Sequence, residues 1–293
     1  MRRIVLRGPA ALLLLTACAP SALPPQEVMR RATAASQTLE SASFQAEGYV
    51  QGWDAERRRW DFTLSHGVLK DGGKQVQFTL MLKQEDVARE ETVVDMAMLY
   101  PCDLYLKPIR VASGASLLGI SHGQLDSMKG EWWRMSCKGS TAVMPTTPDP
   151  ASVTRQSDVL MVKKEWEREE IHGRDAYHYG IGLDADKLTA YIASFSSGLG
   201  GGEEQVLSLL GEEKIGGELW VDAESFYLHR LVWNLQDVRK GGASVPVGMF
   251  DLQLQDHDGV LSSTLPARAR LLTGVTLTDT DLPSLIPALL PVR

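Results

Sequence analysis

Long hydrophobic runs are missing from this sequence of 293 residues. A helix that crosses a bilayer needs roughly 20 consecutive apolar residues. The apolar run near the N-terminus, from Ala10 to Leu15, is far shorter, and no later segment reaches spanning length. The pattern therefore predicts that the body of the protein is soluble.

An excess of basic charge is missing as well. Lys and Arg number 30 against 37 Asp and Glu, so the formal net charge is −7 at pH 7. Nucleic acid attracts proteins with clustered Lys and Arg. The charge balance therefore excludes nucleic acid as a partner and disfavours electrostatic docking to anionic lipid.

Motifs of catalysis, metal binding and phosphate binding are also missing. The sequence has no His-Glu-x-x-His run, no Cys-x-x-Cys pair and no Gly-x-Ser-x-Gly elbow. His257 lies between two aspartates, but 256–259 lacks the spacing of a calcium loop and is typical of a turn. Glu203 and Glu204 follow the glycines at 198–202, where a phosphate site needs a lysine. We therefore expect no metal, no cofactor and no enzymatic activity, although a Ser/His/Asp set assembled from distant residues stays open.

What the sequence does have is an export leader. Arg2, Arg3 and Arg7 precede the short apolar run, which is the pattern of a secretory signal peptide. The leader ends in Leu15-Thr16-Ala17-Cys18, which resembles the bacterial lipobox, where the cysteine is acylated and the chain is cut just before it. We expect a signal peptide at 1–17, a Pro-rich lipidated tether at 18–26 and an extracytoplasmic protein that the acyl chains of Cys18 hold on a membrane. An ordinary secreted protein is the alternative.

Cysteine is scarce, and its number is informative. Cys18 is assigned to the anchor, which leaves only Cys102 and Cys137. An even pair in an exported protein indicates one disulfide. Two buried free thiols are the alternative.

Hydrophobic periodicity divides the chain into elements. The spacing of Val28, Ala32, Ala35 and Leu39 predicts a helix, and an alternating pattern afterwards predicts antiparallel strands with one covered face. Strands are predicted at 44–50, 60–64, 76–82, 91–99, 103–107 (ended by Pro108), 131–135, 159–166, 177–182, 219–222, 227–235, 247–254 and 266–272. Further helices are predicted at 113–128, at 188–195 behind Asp184 as N-cap, and near 206–210, with one or two turns at 281–290.

The order of these elements predicts an α+β fold whose sheet contains about ten or eleven of the strands in antiparallel runs. The last two strands are expected to be joined across the turn at 256–259. The Pro/Thr-rich loop at 139–158 is the best internal boundary, but it does not require separate domains, so we expect one domain over 27–293.

Three segments carry a resemblance to a known family. They are Asp103–Lys107 followed by Trp132–Met135, then Ile171–Tyr179, and the hairpin Gly217–Arg230, in which His229 stands where the pattern often has proline. Together with the lipobox and the first helix, they resemble the LolA/LolB and LppX/LprG group of bacterial envelope proteins. The resemblance implies a curved antiparallel sheet, an incomplete β-barrel closed by helices, with an apolar hollow that holds lipid or acyl chains.

The residues expected to line this hollow come from two strand faces: Val76, Phe78, Leu80 and Leu82 on one, Leu219 and Val221 on the other. Small residues on the facing helices, notably Ala32, Ala35 and Ser121, leave volume that a packed core would fill. We therefore expect a non-catalytic carrier or chaperone for a lipid or other apolar ligand. An RseB-like envelope sensor or protein-interaction module, without bound lipid, is the alternative, and a filled core lined by the same residues stays open.

Overall fold

The computed structural model describes residues 23–51, 59–85, 90–99, 103–118, 120–136, 159–184, 186–187, 215–235, 239–240, 243–244, 247–263 and 265–272. Several sequence predictions lie outside these residues. They concern the leader and Cys18, both Cys102 and Cys137, the loop at 139–158, the helices at 188–195 and 206–210, and the tail at 281–290.

The described residues form a strand-rich chain with few helices. The helices are α1 (Pro25–Thr38) and α2 (His122–Ser127). The strands are β1 (Ala42–Gln51), β2 (Arg59–Lys70), β3 (Gln75–Gln84), β4 (Glu91–Leu99), β5 (Asp103–Arg110), β6 (Trp133–Ser136), β7 (Leu160–Glu165), β8 (Glu169–Ile171), β9 (Arg174–Leu183), β10 (Ile215–Asp222), β11 (Leu228–Leu235), β12 (Arg239–Lys240), β13 (Ala243–Ser244), β14 (Val247–Gln255) and β15 (Arg270–Leu271).

Thirteen of these strands form one large, curved sheet that does not close into a barrel. Their order is β15-β6-β5-β4-β3-β2-β1-β14-β11-β10-β9-β7, with β8 also paired to β9. Every pairing in the sheet is antiparallel except that of β15 with β6. The meander of the first half joins the strands of the second half where β1 pairs with β14. The predicted α+β class with an open antiparallel sheet is confirmed.

One face of the sheet, the concave face, carries the apolar side chains. In β1 these are the even positions Ala42, Phe44 and Ala46, which are buried, whereas Gln45 and Glu47 on the other face are exposed. This alternation is the expected consequence of the two-residue period of a strand. A first core cluster extends from β14 across β1–β6 and includes Leu118, Leu125 and Met128 from the β5–β6 connection.

The first helix covers the other end of the concave face. Val28 of α1 is fully buried in a second core cluster with Tyr177, Tyr179 and Ile181 of β9 and Leu219 and Val221 of β10. Pro25 stands in the first turn, where its missing N–H costs nothing. The predicted helix is confirmed with Val28 and Ala32 on its inner face. The prediction that Leu39 shares this face is wrong, because the helix ends at Thr38 and Leu39 packs in the first core cluster.

The predicted end of β5 at Pro108 is wrong. The strand continues to Arg110, because the pairing with β4 shifts by one residue and leaves Ile109 opposite no partner. Proline cannot donate a hydrogen bond to a strand ladder, so in sheets it occurs at edges and bulges. The bulge also explains why the Ile109 side chain is 44% exposed.

The predicted helix at 113–128 is wrong in its first half. Leu118 has φ of +54°, outside the right-handed helical region, and Leu117 forms a bridge with Ile120. The helix begins only after Ser121, which caps it together with Gln124 in a capping box.

The prediction that the chain returns from β14 through a long strand at 266–272 is also wrong. After the turn at 256–259 the chain crosses to β3, where Ser263 hydrogen-bonds Gln75 and Gln77. Only β15 is a strand, and it pairs with β6 at the far edge of the sheet. The short strands β8, β12 and β13 were not predicted.

Candidate functional site

The six predicted lining residues share the concave face. The register connects the strands that carry them into one row, which consists of Leu80, Leu64, Ala46, Leu252, Leu231 and Leu219 on β3, β2, β1, β14, β11 and β10. The inward faces of β3 and β10, which no sequence pattern connects, are therefore parts of one continuous apolar surface.

Burial divides these six residues into three groups. Val76 and Phe78 are each 5% exposed and belong to the first core cluster. Leu219 and Val221 are buried in the second cluster, together with Val28 of α1. Leu80 and Leu82 are only half-buried, although both pack against the first cluster.

Half-buried apolar residues also lie on this face, on β1, β3 and β11. We call them the central patch, and they are Val50, Leu80, Leu82, Leu231 and Trp233. Buried residues such as Leu64 and Leu252 separate the members on β3 from those on β11. Leu231 and Trp233 touch both clusters. The helices lie towards the ends of the sheet, with α1 against β7 and α2 against β5.

Aromatic rings occupy the space above glycines in this region. A Cβ atom added to Gly217 would lie 2.7 Å from Cε3 of Trp233, and one added to Gly48 would lie 2.7 Å from Cζ of Phe62. Each ring therefore covers a position without a side chain. The backbone is closer still, since the added Cβ would lie 2.3 Å from the Val232 carbonyl oxygen at Gly217 and 2.1 Å from that of Met249 at Gly48, so a larger residue requires the strands themselves to move. Ser121, expected to leave volume over the sheet, instead caps α2 and is exposed.

A second concavity lies on the outer flank of α1. It is a half-open groove of about 490 Å³ between α1 and β7, lined by Met29, Ala34, Leu160, Met161 and Val162 together with polar residues that include Arg30, Asp184 and Lys187. The Asp184 carboxylate accepts a hydrogen bond from the backbone N–H of Lys187. This contact is the one expected of the predicted N-cap.

The β10–β11 hairpin contains the most connected buried polar group of the described residues. Asp222 is 1% exposed, and its carboxylate accepts hydrogen bonds from the backbone N–H and hydroxyl of Ser225, from Arg174 and from the His229 ring. Burial alone raises the pKa of Asp222, but the hydrogen bonds from Ser225 and His229 outweigh it and lower this pKa to about 2. These hydrogen bonds stabilise the turn. They also use the acceptor sites of the Asp222 carboxylate within the protein, so its role is structural.

His229 replaces the proline of the family pattern without loss of the hairpin. The register shifts at this residue, because Trp220 pairs with Arg230 while Val221 pairs with Leu228. His229 is thus the extra residue of a bulge, and its 3%-exposed side chain reaches Asp222 with Nε2 at 2.9 Å. The Asp-x-x-Ser spacing of 222–225 is the sequence signal that predicts such a turn.

The described residues contain neither a metal-binding cluster nor a membrane-spanning helix. No group of three or more His, Cys, Asp or Glu side chains in that part of the chain is arranged to hold a metal ion. Among the same residues, no helix has the length and apolar character needed to cross a membrane.

No protein-family model matches the chain, and no curated protein matches it either. Among solved structures, the chain is similar to the lipoprotein LppX of Mycobacterium tuberculosis, at 10% identity over 82% of this chain and 99% of that chain, with a TM-score of 0.42. It is also similar to LprF from Mycobacterium bovis, at 13% identity over 83% of this chain and 96% of that chain, with a TM-score of 0.37. A LolA-superfamily protein from Nitrosomonas europaea matches at 11% identity over 84% of this chain and 96% of that chain, with a TM-score of 0.22.

These structures carry names from the group that the sequence motifs resemble. Identities of 10–13% and TM-scores of 0.42 and lower assign no function to this chain.

Proposed function

We propose that this protein is an extracytoplasmic lipoprotein that binds a lipid or another apolar ligand against the concave face of its sheet. It acts as a carrier or chaperone and catalyses no reaction. The acylated Cys18 holds it on the membrane, and the short tether at 18–26 keeps the folded body close to that membrane.

The observation that carries this proposal is the half-burial of the central patch. Apolar side chains in the middle of an ordinary core are usually fully buried. Here Leu80 and Leu82 retain exposed surface, although Val76 and Phe78 on the same strand face are buried. An acyl chain laid over the patch gains roughly 0.8 kcal/mol for each methylene removed from water.

The chemistry of the patch indicates a neutral, aliphatic ligand segment. Its five members are four aliphatic side chains and one Trp. The charged side chains of the same strands, such as Lys83 on β3 and Arg230 on β11, alternate with these positions and lie on the opposite face. A ligand charge would therefore have no partner within the patch itself.

A pair of matched variants tests the proposal. Leu80→Glu places a charge in the patch, whereas Met81→Glu places the same charge on the next residue, which is also half-buried but lies on the opposite face. We expect Leu80→Glu to lose binding of a fluorescent long-chain fatty acid by at least about tenfold, because an unpaired carboxylate in an apolar site is strongly unfavourable. Met81→Glu should bind like the wild type, and equal binding by both variants contradicts the proposal.

The alternative is a sensor or interaction module that binds another envelope protein. The groove between α1 and β7 favours it, since polar and apolar residues line this groove in similar measure and Met161 at its rim is 43% exposed. The interaction module is supported instead if no lipid binds the central patch and Met161→Asp reduces the amount of envelope protein that cross-links to this chain in cells.

A further inference from the structure

The strand β7 forms one edge of the large sheet. It pairs with β9 on its inner side, and no other strand of the described residues pairs with its outer side. A free edge presents backbone N–H and C=O groups to any strand that approaches it. An extended segment of another protein can be added to such an edge as a further strand.

The ladder with β9 shows which backbone groups of β7 point outwards. The N–H of Asp184 donates a hydrogen bond to the carbonyl oxygen of Val159. Hydrogen-bonded and non-hydrogen-bonded pairs alternate along an antiparallel ladder, so Met161 also directs its backbone groups to β9. The N–H and C=O groups of Leu160 and Val162 therefore face the outer edge.

The groove between α1 and β7 lies beside these outward groups. The half-buried side chains of Leu160 and Val162 line it from the strand, and Met29 and Ala34 line it from the helix. Residues that stand opposite each other on neighbouring strands point to the same face of a sheet. The residues of an added strand opposite Leu160 and Val162 thus enter the groove, where the lining favours apolar side chains.

Two lysines of β7 indicate the charge of the added strand. Lys163 and Lys164 are exposed, and neither forms an ion pair within the described residues. Opposite charges on facing residues of neighbouring strands stabilise their pairing, and like charges destabilise it. Lysines at an edge also oppose pairing with a second copy of the chain, because that copy brings its own two lysines to the same place.

The helix side of the groove carries the same sign of charge. Arg30 and Arg31 share the single carboxylate of Glu27, which leaves one positive charge in excess. Asp184 and Lys187, on the far side of the groove, balance each other at 3.8 Å. The chain as a whole has a net charge of −7, so this edge differs in sign from the average of the molecule. The occupant that complements it is acidic.

We propose that the outer edge of β7 binds an acidic, extended segment of another envelope protein as an added strand. Alternate apolar side chains of that segment enter the groove beside α1, and its acidic side chains pair with Lys163 and Lys164. The proposal does not rest on lipid binding, because the central patch lies on other strands.

Fluorescence anisotropy of a labelled peptide, Glu-Glu-Val-Thr-Val-Glu-Glu, tests the proposal. Its two valines have the spacing of Leu160 and Val162, and its acidic ends allow it to add in either direction. The wild type should bind this peptide. It should bind Lys-Lys-Val-Thr-Val-Lys-Lys about five- to tenfold more weakly, as expected when two cross-strand charge pairs become repulsive.

A charge exchange on the protein identifies the edge that binds. Lys163→Glu combined with Lys164→Glu should reverse the preference, so that the basic peptide binds more tightly than the acidic one. The matched control is Lys74→Glu combined with Lys129→Glu, which changes the net charge equally at two exposed lysines on other elements. The control should keep the preference of the wild type.

A backbone variant tests strand addition itself. Val162→Pro removes one outward N–H at a position where an edge strand accommodates proline. It should weaken binding of the acidic peptide by about two- to tenfold, the range of one lost hydrogen bond. Leu80→Glu in the central patch should leave peptide binding unchanged, which separates this proposal from lipid binding.

Three results overturn the proposal. They are absence of peptide binding by the wild type, equal binding of the two peptides, and an unchanged preference after the charge exchange at Lys163 and Lys164. A wild-type dimer that Val162→Pro converts to a monomer also overturns it, because the edge then binds a second copy of the chain.

Discussion

Replacing Leu80 with tryptophan separates a lipid-binding surface from a filled core. Leu80 is half-buried, whereas Leu64, its direct neighbour on β2, is 4% exposed on the same face. Adding an indole to a packed core costs roughly 1–3 kcal/mol of unfolding free energy, because neighbours must move. We expect this cost for Leu64→Trp.

At Leu80 the same substitution should cost at most about 1 kcal/mol, which is the size of an ordinary point mutation. The new ring has room over the central patch, and for that reason it should compete with the ligand. Urea unfolding followed by circular dichroism gives both free energies, and binding of a fluorescent fatty acid gives the occupancy. The reasoning is refuted if Leu80→Trp costs as much as Leu64→Trp and leaves fatty-acid binding unchanged.

Three further predictions concern the anchor, the disulfide and the hairpin. Cys18→Ser should move the protein from the membrane fraction to the soluble fraction, and an already soluble wild type contradicts the anchor. Non-reducing peptide mapping should find Cys102 linked to Cys137, because their chain neighbours Asp103 and Ser136 are paired at the ends of β5 and β6. The bond should add about 3–4 kcal/mol, and two free thiols in protein from the envelope contradict it. Asp222→Asn should lower the free energy of unfolding by about 2 kcal/mol above about pH 4, because a carboxyl whose pKa is lowered on folding stabilises the fold only when it is ionised. The wild type should lose this contribution between about pH 4 and pH 2, and the variant should not. Identical acid unfolding of variant and wild type contradicts this account.

The sequence predicts strands well where one face is buried and the other is wet. The even positions 42–50 of β1 and 76–82 of β3 are apolar and the odd positions mostly polar, and both strands form as expected. The predicted bounds of β4, 91–99, agree with the structure because apolar residues dominate the whole segment. The pattern of residues within each segment determines these strands, so they can be predicted without knowledge of their partners.

The wrong predictions share a different physical cause. Pro108 ends a regular strand, but a bulge opposite β4 accommodates it, and a bulge depends on the partner strand. The apolar residues at 117 and 118 have helical spacing with Leu125, yet an irregular turn buries them equally well. The pairing of β15 with β6 joins residues that are more than a hundred positions apart in the chain, and no local pattern reports such a contact.

The candidate site was predictable in part for the same reasons. Alternation places Leu80 and Leu219 on inward faces, but only the order of the strands shows that they share one surface. The contact of His229 with Asp222 depends on the bulge in the β10–β11 hairpin, which the family pattern with proline does not suggest.

The most direct test of lipid binding is native mass spectrometry of the wild-type protein. The sample is the body of the protein that begins after Cys18, purified from cells without detergent. Because this form lacks Cys18, the anchor itself contributes no acyl chain. We predict a co-purified species whose mass corresponds to a lipid, bound in about a one-to-one ratio and reduced in Leu80→Glu but not in Met81→Glu. A single unliganded mass that also takes up no added fatty acid would contradict the central claim.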